Sequence, residues 1–303
     1  EPQSWILSPD PVPLGHLEGE PRWLLGNCGV VEPTSVAAYE ACGGYEGMKK
    51  ALHNSPAFVV EEISKSGLLG RGGAAFPTGL KWQFTAGTQD QPKYMICNAD
   101  ESEPGTFKDR VLIEGYPHSI IEGMLVAAFA VGANQGYFYI RGEYMRAQGI
   151  MRKALNNARQ AGYLGDNILG SGFDFDIEMR SGAGAYVCGE ETALFESIEG
   201  KRGFPRLNPP YPTEAGLFGK PTDINNVETL CAAAWIMGNS AEKFRSLGTA
   251  ESTGTKVYCL SGDIAQPGVY ELPLGITLGE IIEKAGGVQG ELRGVLIGGA
   301  AGS

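Results

Sequence analysis

The sequence predicts an α/β fold, in which helices cover a largely parallel sheet and a small β-grasp module follows. Short apolar runs alternate with helical segments in the order β-α-β-α-β, which favours parallel strands joined by crossover helices. Beyond residue 254 the order changes to strand, strand, helix, strand in under 50 residues. Gly is frequent, with 45 of 303 residues, so many backbone positions must turn sharply or approach another group closely.

The elements of the large domain follow from the spacing of apolar residues. Two short helices are predicted over 35–52 and a third over 57–66. Three apolar runs bounded by polar residues are predicted strands, at 94–98, 136–140 and 173–179. Helices are predicted between and after these strands, over 118–132, 143–162, 192–198 and 225–237.

The small module is predicted from strands over 256–260, 268–272 and 294–297, with a helix over 277–285. Because an apolar run lies directly before Ser303, we expect the natural protein to continue beyond it. The predicted domain bounds are 1–25 for an N-terminal extension without a fold of its own, 26–245 for the large domain and 254–303 for the small one.

Composition excludes several classes of protein. Hydrophobic residues make up 43% and charged residues 19% of the chain, which excludes a disordered protein. The net charge of -11 argues against a nucleic-acid partner, which requires a basic surface. No signal peptide is visible, and the longest apolar run, 120–131, is shorter than the roughly 18 residues of a membrane span. The six cysteines form no Cys-x-x-Cys pair, which favours a cytoplasmic protein with reduced thiols and no metal site within this chain.

The first candidate site is the glycine-rich segment 70–82. Small residues there let backbone amides approach a phosphate or an aromatic ring, and Arg71 and Lys81 supply positive charge. Gly70, Gly72 and Ala75 match the dinucleotide fingerprint in spacing, but the preceding segment is helical rather than a strand. A tight structural loop is the alternative interpretation.

The second candidate site is the acidic segment 98–106, which follows the first predicted strand. Ligands of open α/β sheets bind outside the carboxyl ends of the strands. Three carboxylates within four residues, those of Asp100, Glu101 and Glu103, could accept hydrogen bonds from ribose hydroxyls or an amide. A metal site lacks histidines at ligand spacing, and a solvated acidic loop is the other alternative.

The third candidate site is segment 182–192, a glycine-rich turn between a strand and a helix. Its amides lie at a predicted helix N-terminus, where Glu190 and Glu191 are also favourable, and Tyr186 offers a face for stacking. Cys188 invites a nucleophile interpretation, but no histidine is near in sequence, so a buried thiol is favoured.

These three segments, together with Pro221–Leu230, closely resemble the FMN- and NADH-binding flavoprotein subunit of respiratory complex I. The family includes the diaphorase subunits of NAD-linked hydrogenases and formate dehydrogenases. The resemblance implies a Rossmann-like FMN-binding domain and a β-grasp domain of the soluble-ligand-binding (SLBB) type. It also implies a C-terminal helical bundle with a [4Fe-4S] cluster, expected only in a continuation beyond Ser303.

The resemblance implies two sets of site residues. The FMN-binding set is Gly70, Arg71, Gly72, Lys81, Asn98, Asp100, Glu101, Tyr186, Gly189, Glu190, Asn225, Asn226 and Thr229. The NADH-binding set is Phe76, Phe84, Glu103, Tyr186, Glu191 and Tyr211. Aromatic faces suit adenine and isoalloxazine rings, and carboxylates accept from ribose and carboxamide groups. No protein group is expected to be catalytic, because the flavin carries the chemistry.

One segment departs from the family pattern. Where the family often has Lys before Pro-Pro-Phe-Pro, this chain has Asn208 followed by Pro-Pro-Tyr-Pro, so a cationic nucleotide contact is lost and Tyr211 keeps the aromatic one. The cations that could compensate are Lys201, Arg202 and Arg206.

The function implied by the resemblance is an NADH:acceptor oxidoreductase subunit that transfers hydride from NADH to FMN and electrons onward to iron-sulfur centres. The implied partners are a thioredoxin-like [2Fe-2S] subunit and further iron-sulfur subunits, with attachment to the inner face of a membrane only through them. The alternatives are an NAD-linked subunit of a soluble hydrogenase, formate dehydrogenase or electron-bifurcating complex, and a non-catalytic docking subunit that retains the fold.

Overall fold

The large domain is built on a four-stranded parallel sheet, which confirms the predicted α/β class. The computed structural model describes residues 12–15 and 19–299. The strands of the sheet lie in the order β3-β2-β1-β4. Their bounds are β1 Tyr94–Ala99, β2 Gln135–Ile140, β3 Asp176–Ser181 and β4 Thr222–Asn226.

Helices pack on both faces of this sheet. Their bounds are α1 Val36–Ala41, α2 Glu46–Leu52, α3 Pro56–Ser66, α4 Thr78–Gly87, α5 Lys108–Gly115, α6 Pro117–Val131, α7 Met145–Gln160, α8 Glu191–Ile198, α9 Pro212–Ala215, α10 Val227–Gly238, α11 Ala241–Arg245 and α12 Leu278–Lys284. Helix starts use local signals: Ser55 accepts a hydrogen bond from the amide of Phe58, and Pro56 takes the first position of α3.

Alternating side chains of the strands contribute to two apolar cores. Met95 and Cys97 of β1 belong to the larger core, which contains α6 and α10, whereas Ile96 belongs to a smaller one against α8. Because both faces are covered, β1 and β2 are mostly apolar, as parallel strands usually are, whereas β3 and β4 carry several polar residues. The sheet therefore exposes little of itself except the loops at its ends.

The structure corrects several predicted boundaries. The sequence predicts no strand at 222–226 and a helix from Asn225, but this segment forms β4, and α10 begins only at Val227. Only Ile224 is strongly apolar in β4, so its strand character comes from pairing with β1, which a local pattern does not reveal. The third strand begins at Asp176 rather than at 173, and α4 and α5 had no sequence prediction.

The small C-terminal module is an antiparallel hairpin, β5 Thr255–Leu260 and β6 Gly268–Pro273, followed by α12. The strand predicted over 294–297 is wrong: the backbone there forms no regular structure, and Val295, Leu296 and Ile297 are exposed. An apolar run becomes a strand only where another strand pairs with it.

The described part of the N-terminal extension packs on this hairpin. The amide of Gly15 donates to the carbonyl of Val269 at 2.8 Å. The amides of Leu24 and Leu25 both donate to Oε2 of Glu271, at 2.9 and 3.0 Å. Residues 1–11 and 16–18 of the predicted extension lie outside the described residues.

Across the described ranges, no helix combines the length and the apolar character needed to cross a membrane.

Candidate functional site

The loops that carry the candidate residues meet at one edge of the sheet. The carboxyl ends of all four parallel strands lie there, so Asp100, Arg141, Gly182 and Asn226 follow or end neighbouring strands. From β1 the chain proceeds to β2 and β3 on one side and returns to β4 on the other. Such a reversal of strand order leaves a crevice between the loops, which is the usual place of a ligand in open α/β sheets.

A closed loop formed by residues 69–77, hereafter the glycine loop, lines this crevice. The amide of Gly70 donates to the carbonyl of Phe76 at 2.9 Å, and α4 begins directly after the loop. Its residues 72–77 are exposed. At Gly72 an added Cβ would lie 3.3 Å from the Cβ of Asn226, so a glycine lets the loop lie close to the end of β4.

One cation lies between the glycine loop and the helix that follows the third site. Nζ of Lys81 donates to the carbonyl of Ile224 at 2.5 Å and lies 3.4 Å from Oε1 of Glu191. The Lys81 side chain retains 19% of its exposure. It is therefore held at the crevice with part of its surface available to an anion.

Glu101 of the acidic segment points away from the crevice. Its carboxylate accepts hydrogen bonds from the amides of Asp109 and Arg110 at 2.8 and 3.1 Å and from the hydroxyl of Tyr144 at 3.0 Å. Burial raises the pKa of Glu101 to about 7, and the neighbouring Asp109 carboxylate acts in the same direction. Glu101 thus fixes the start of α5 to the end of β2.

Glu103 and Tyr186 meet across the crevice. The hydroxyl of Tyr186 donates to Oε2 of Glu103 at 2.5 Å, although 62% of the Tyr186 surface is exposed. This contact joins the second and third predicted segments, which are 83 residues apart in the chain. It leaves the face of the tyrosine ring open to a ligand.

The turn of the third segment leads into α8. Nδ2 of Asn98 donates to the carbonyl of Gly189 at 2.9 Å, which fixes the turn to the end of β1. Oε2 of Glu190 accepts from the amides of Thr192 and Ala193 at 3.0 and 2.8 Å and so caps α8. Cys188 is buried, in agreement with the favoured interpretation of a buried thiol.

The three residues predicted around the start of α10 are turned toward the protein. Oδ1 of Asn225 accepts from Nε1 of Trp82 at 3.4 Å. Nδ2 of Asn226 donates to Oδ2 of Asp109 at 2.6 Å, and Oγ1 of Thr229 accepts from the amide of Arg71 at 2.8 Å. Their side chains hold the floor of the crevice together.

The predicted residues therefore form two layers around one crevice. The buried layer consists of the buried residues Arg71, Glu101, Asn225 and Thr229 and the half-buried Asn226, whose side chains bond to other protein groups. The open layer contains exposed aromatic rings, the cation of Lys81 and acceptor oxygens: Phe76, Lys81, Phe84, Asp100, Glu103, Tyr186, Glu191 and Tyr211.

The open layer suits a ring-bearing, anionic ligand. Phe84 and Tyr211 keep 51% and 56% of their surface exposed, so their rings are accessible for stacking against a planar ligand. Beside them lie a cation for phosphate and carboxylates for hydroxyl or amide donors. The exposed backbone of the glycine loop permits close approach, since a Cβ at Gly73 would meet nothing within 4 Å. The residues present therefore fit FMN and a nicotinamide nucleotide.

Several residues of the site had no sequence prediction. Lys108 and Asp109 at the start of α5 form a buried ion pair at 2.7 Å. Nη1 of Arg141 donates to the carbonyl of Glu101 at 2.5 Å, and Tyr144 contacts the same residue. Arg141 and Tyr144 directly follow a predicted strand, so the rule that ligand sites gather at strand ends already pointed to them.

Two of the cations expected to replace the missing lysine are engaged with carboxylates. Nε and Nη2 of Arg206 lie 2.6 and 2.8 Å from Glu196 and Glu199, and Nζ of Lys201 lies 2.8 Å from Glu199. Arg206 thus fixes segment 206–216 to α8.

Two family models match the chain. A model described as the Nuo51 FMN-binding domain matches residues 63–235, and one described as the SLBB domain matches residues 257–294. The first match contains every candidate residue of both layers.

The curated relatives include a subunit of an NADH-quinone oxidoreductase and a subunit of an NADP-reducing hydrogenase. A subunit of the NADH-quinone oxidoreductase of Aquifex aeolicus is 54% identical over 260 residues, which cover 86% of this chain and 61% of the relative. The HndC protein of the NADP-reducing hydrogenase of Solidesulfovibrio fructosivorans is 52% identical over 261 residues, covering 86% of this chain and 53% of the relative. The chain thus spans between about half and three fifths of the length of these relatives.

A solved structure has a similar fold. It is described as an NAD+-reducing [NiFe]-hydrogenase in the H2-reduced state, and it matches with a TM-score of 0.79 at 40% identity. The match covers 92% of this chain and 45% of that chain.

Proposed function

The chain belongs to the Nuo51 FMN-binding domain family, and on this premise we propose that it is the FMN- and NADH-binding flavoprotein subunit of a multi-subunit oxidoreductase. The observation that carries the proposal is the open layer, in which exposed aromatic rings, a cation and carboxylates from three distant segments surround one crevice. A scaffold without ligands has no physical reason to keep these groups exposed together.

We assign FMN to the part of the crevice formed by the glycine loop and the ends of β1 and β4. Backbone amides of the loop and Nζ of Lys81 would hold the phosphate. Asn98, Asp100 and Glu190 lie at the adjoining turn and would accept from or donate to the flavin ring and ribityl chain. Residues of the buried layer would support these segments from the side that faces away from the cofactor.

We assign the nicotinamide nucleotide to the outer part of the crevice. The exposed rings of Phe76, Phe84, Tyr186 and Tyr211 would contact its bases, and Glu103 and Glu191 would accept from ribose and carboxamide groups. FMN held here would supply a hydride acceptor for the nicotinamide nucleotide and a one-electron donor for iron-sulfur centres. The residues of the chain bind and orient the two ring systems.

A visible spectrum, recorded before and after anaerobic addition of NADH, tests the proposal. We expect a flavin absorption band that NADH bleaches, because the proposed site would hold the flavin and the nicotinamide side by side. A bound flavin that only dithionite reduces would contradict the NADH assignment. A protein that binds no flavin would contradict the proposal as a whole and favour a docking subunit.

A second candidate function is that of an NAD(P)-linked hydrogenase component. It is favoured by the NADP-reducing hydrogenase relative, whose identity of 52% is close to the 54% of the quinone oxidoreductase relative. The two functions differ in direction and nucleotide. Reduction of NADP+ or NAD+ by the chemically reduced flavoprotein, at a rate comparable with NADH oxidation, would favour the hydrogenase class.

A further inference from the structure

The start of the SLBB-type hairpin runs behind the candidate flavin site. Oγ1 of Thr253 donates to the carbonyl of Ser66 at 2.7 Å, just before the glycine loop. The amide of Val257 donates to Oε1 of Glu228 in the first turn of α10 at 2.8 Å. The amide of Phe107 donates to Sγ of Cys259 at 3.2 Å, just before α5. Segment 253–259 therefore contacts the three elements that form the floor of the crevice.

Arg71 makes the central contact of this segment with the glycine loop. Its Nη2 donates to the carbonyls of Thr253 and Thr255, at 3.2 and 2.9 Å. Its own amide donates to Thr229. Only 5% of Arg71 is exposed, whereas residues 72–77 of the same loop are exposed. Arg71 is thus the one inward-pointing side chain of an otherwise open stretch, 71–77.

Charge compensation keeps this arginine in place. Its Nε lies 3.8 Å from Oε1 of Glu228, and Oε2 of the same carboxylate lies 2.9 Å from Nζ of Lys108. Nζ of Lys108 also lies 2.7 Å from Oδ1 of Asp109. Displacing one member of a buried ion cluster leaves the others uncompensated, so this cluster opposes displacement of the arginine.

We propose that Arg71 is a positioning residue: its guanidinium fixes the glycine loop to β5, and the hairpin thereby serves as the rear support of the flavin site. The inference rests on the proposed function as far as the flavin is concerned. The resemblance alone places Arg71 among the groups that contact FMN. The geometry assigns its side chain to the opposite side of the loop and leaves the loop backbone to meet the cofactor.

Arg71→Met and Arg71→Lys test the inference against a matched arginine. Arg159 ties α7 to the amino-terminal end of β3, with Nη2 donating to the carbonyl of Ile177 at 2.6 Å and Nε bonded to Asp176, away from the crevice. Arg159→Met therefore removes a comparable set of bonds without touching the glycine loop. Arg71→Lys keeps the charge, but its shorter side chain would bring the ammonium less close to the two carbonyls that accept from Nη2.

The first readout needs no cofactor: hydrogen exchange of the amides in the glycine loop. We expect Arg71→Met to accelerate exchange of the amides of residues 70 and 71, which donate to Phe76 and Thr229, by about tenfold or more, because it removes charge-assisted hydrogen bonds that hold the loop. Arg71→Lys should lie between Arg71→Met and the wild type, and Arg159→Met should leave these amides unchanged. Equal exchange of these two amides in Arg71→Met and wild type would overturn the inference.

The second readout is the FMN dissociation constant, with the thermal midpoint recorded for every variant. We expect Arg71→Met to raise the dissociation constant by about tenfold or more. Arg159→Met should leave it unchanged and cost less stability, because the Arg159 side chain is 36% exposed and that of Arg71 only 4%. Unchanged FMN affinity in a folded Arg71→Met protein would overturn the support role. If Arg71→Met does not fold, the same comparison with Arg71→Lys decides. A wild-type protein that binds no FMN would instead refute the proposed function, and the exchange readout would still decide how the loop is held.

Discussion

At the scale of single residues, two lysines near the crevice differ in their surroundings. Lys81 is partly open, whereas Lys108 is buried among carboxylates. Burial opposes the charge of Lys108, but the carboxylates of Asp109, Glu228 and Glu101 outweigh it and hold the pKa of Lys108 above its usual range. Only an exposed cation is free to meet a phosphate.

Lys81→Met should weaken FMN binding by about tenfold or more, because a charge-assisted contact to phosphate is lost. Stability should change little, since the side chain is partly exposed. Fluorescence titration of FMN measures the affinity. Lys220→Met is the control, because Lys220 pairs with Asp90 at 3.0 Å near the amino-terminal end of β4. Equal FMN affinity in the two variants would count against a role for Lys81.

Tyr186 allows the ring and the hydroxyl to be tested separately. Tyr186→Phe keeps the exposed ring but releases Glu103, so we expect the KM for NADH to rise about fivefold with FMN affinity unchanged. Tyr186→Ala should impair both. Steady-state kinetics with NADH and an artificial acceptor, on protein saturated with FMN, supply the KM. A KM unaffected by Tyr186→Phe would show that the contact with Glu103 is dispensable.

The sequence predicts which segments carry the candidate residues, but it does not predict which way their side chains turn. The glycine-rich, acidic and third segments meet as expected, because glycines and clustered carboxylates at strand ends have a direct physical meaning. The orientation of Arg71 and Asn226 depends on β5 and α5, which are distant in the chain, so local patterns do not report it.

At the scale of elements, a prediction is more accurate where residues close in sequence form the element than where pairing with a distant strand forms it. Helix α6 is apolar along most of its length and lies within the predicted bounds to within a residue or so. Strand β4 contains Thr222, Asp223 and two asparagines, and only its pairing with β1 makes it a strand. The run 294–297 shows the converse, because it is apolar but unpaired among the described residues.

The junction of the N-terminal segment with the hairpin should weaken as pH rises. Burial raises the pKa of Glu271 to about 7, and the charge of Glu228 acts in the same direction. The folded state therefore binds a proton that the unfolded state releases near pH 4.5, so stability is lost between about pH 4.5 and 7. The loss amounts to about 3 kcal/mol at most.

Glu271→Gln should remove this component, since glutamine can still accept from Leu24 and Leu25 and does not titrate. Urea unfolding at pH 5 and pH 7.5 measures the free energies. We expect the difference between the two pH values to be smaller in Glu271→Gln than in the wild type. Glu280→Gln is the control, because Glu280 is exposed and caps α12. The same pH difference in Glu271→Gln and wild type would contradict the argument.

At the scale of the whole molecule, the hairpin is continuous with the large domain. Val257 and Val269 belong to the same apolar core as α6 and α10. In contrast, Ile281 and Ala285 of the α12 region belong to a separate small cluster with Tyr270 and Leu272. The packing therefore divides the small module between two cores.

Native-state hydrogen exchange should reveal this division. We expect the amide of Val257, which donates to Glu228 of α10 at 2.8 Å, to exchange with the same opening free energy as the amide of Ile121 in α6, because one core holds both residues. The amide of Ile281, which donates to Thr277 at 3.0 Å, should open at lower free energy. A Val257 amide as labile as that of Ile281 would mean that the hairpin separates from the large domain on its own.

Trp82 is a residue of α4, the helix that follows the glycine loop. Its indole is fully buried, and its Nε1 is bonded to Asn225 in β4. Indole emission overlaps the near-ultraviolet and blue absorption of a flavin. A flavin bound in the crevice would therefore accept energy from the excited indole. The other described tryptophans, Trp23 and Trp235, stack on each other at 4.1 Å elsewhere in the core. On the proposed function, Trp82 is an intrinsic optical donor: emission quenching on flavin binding that is smaller in Trp82→Phe would report occupancy of the crevice without any added label.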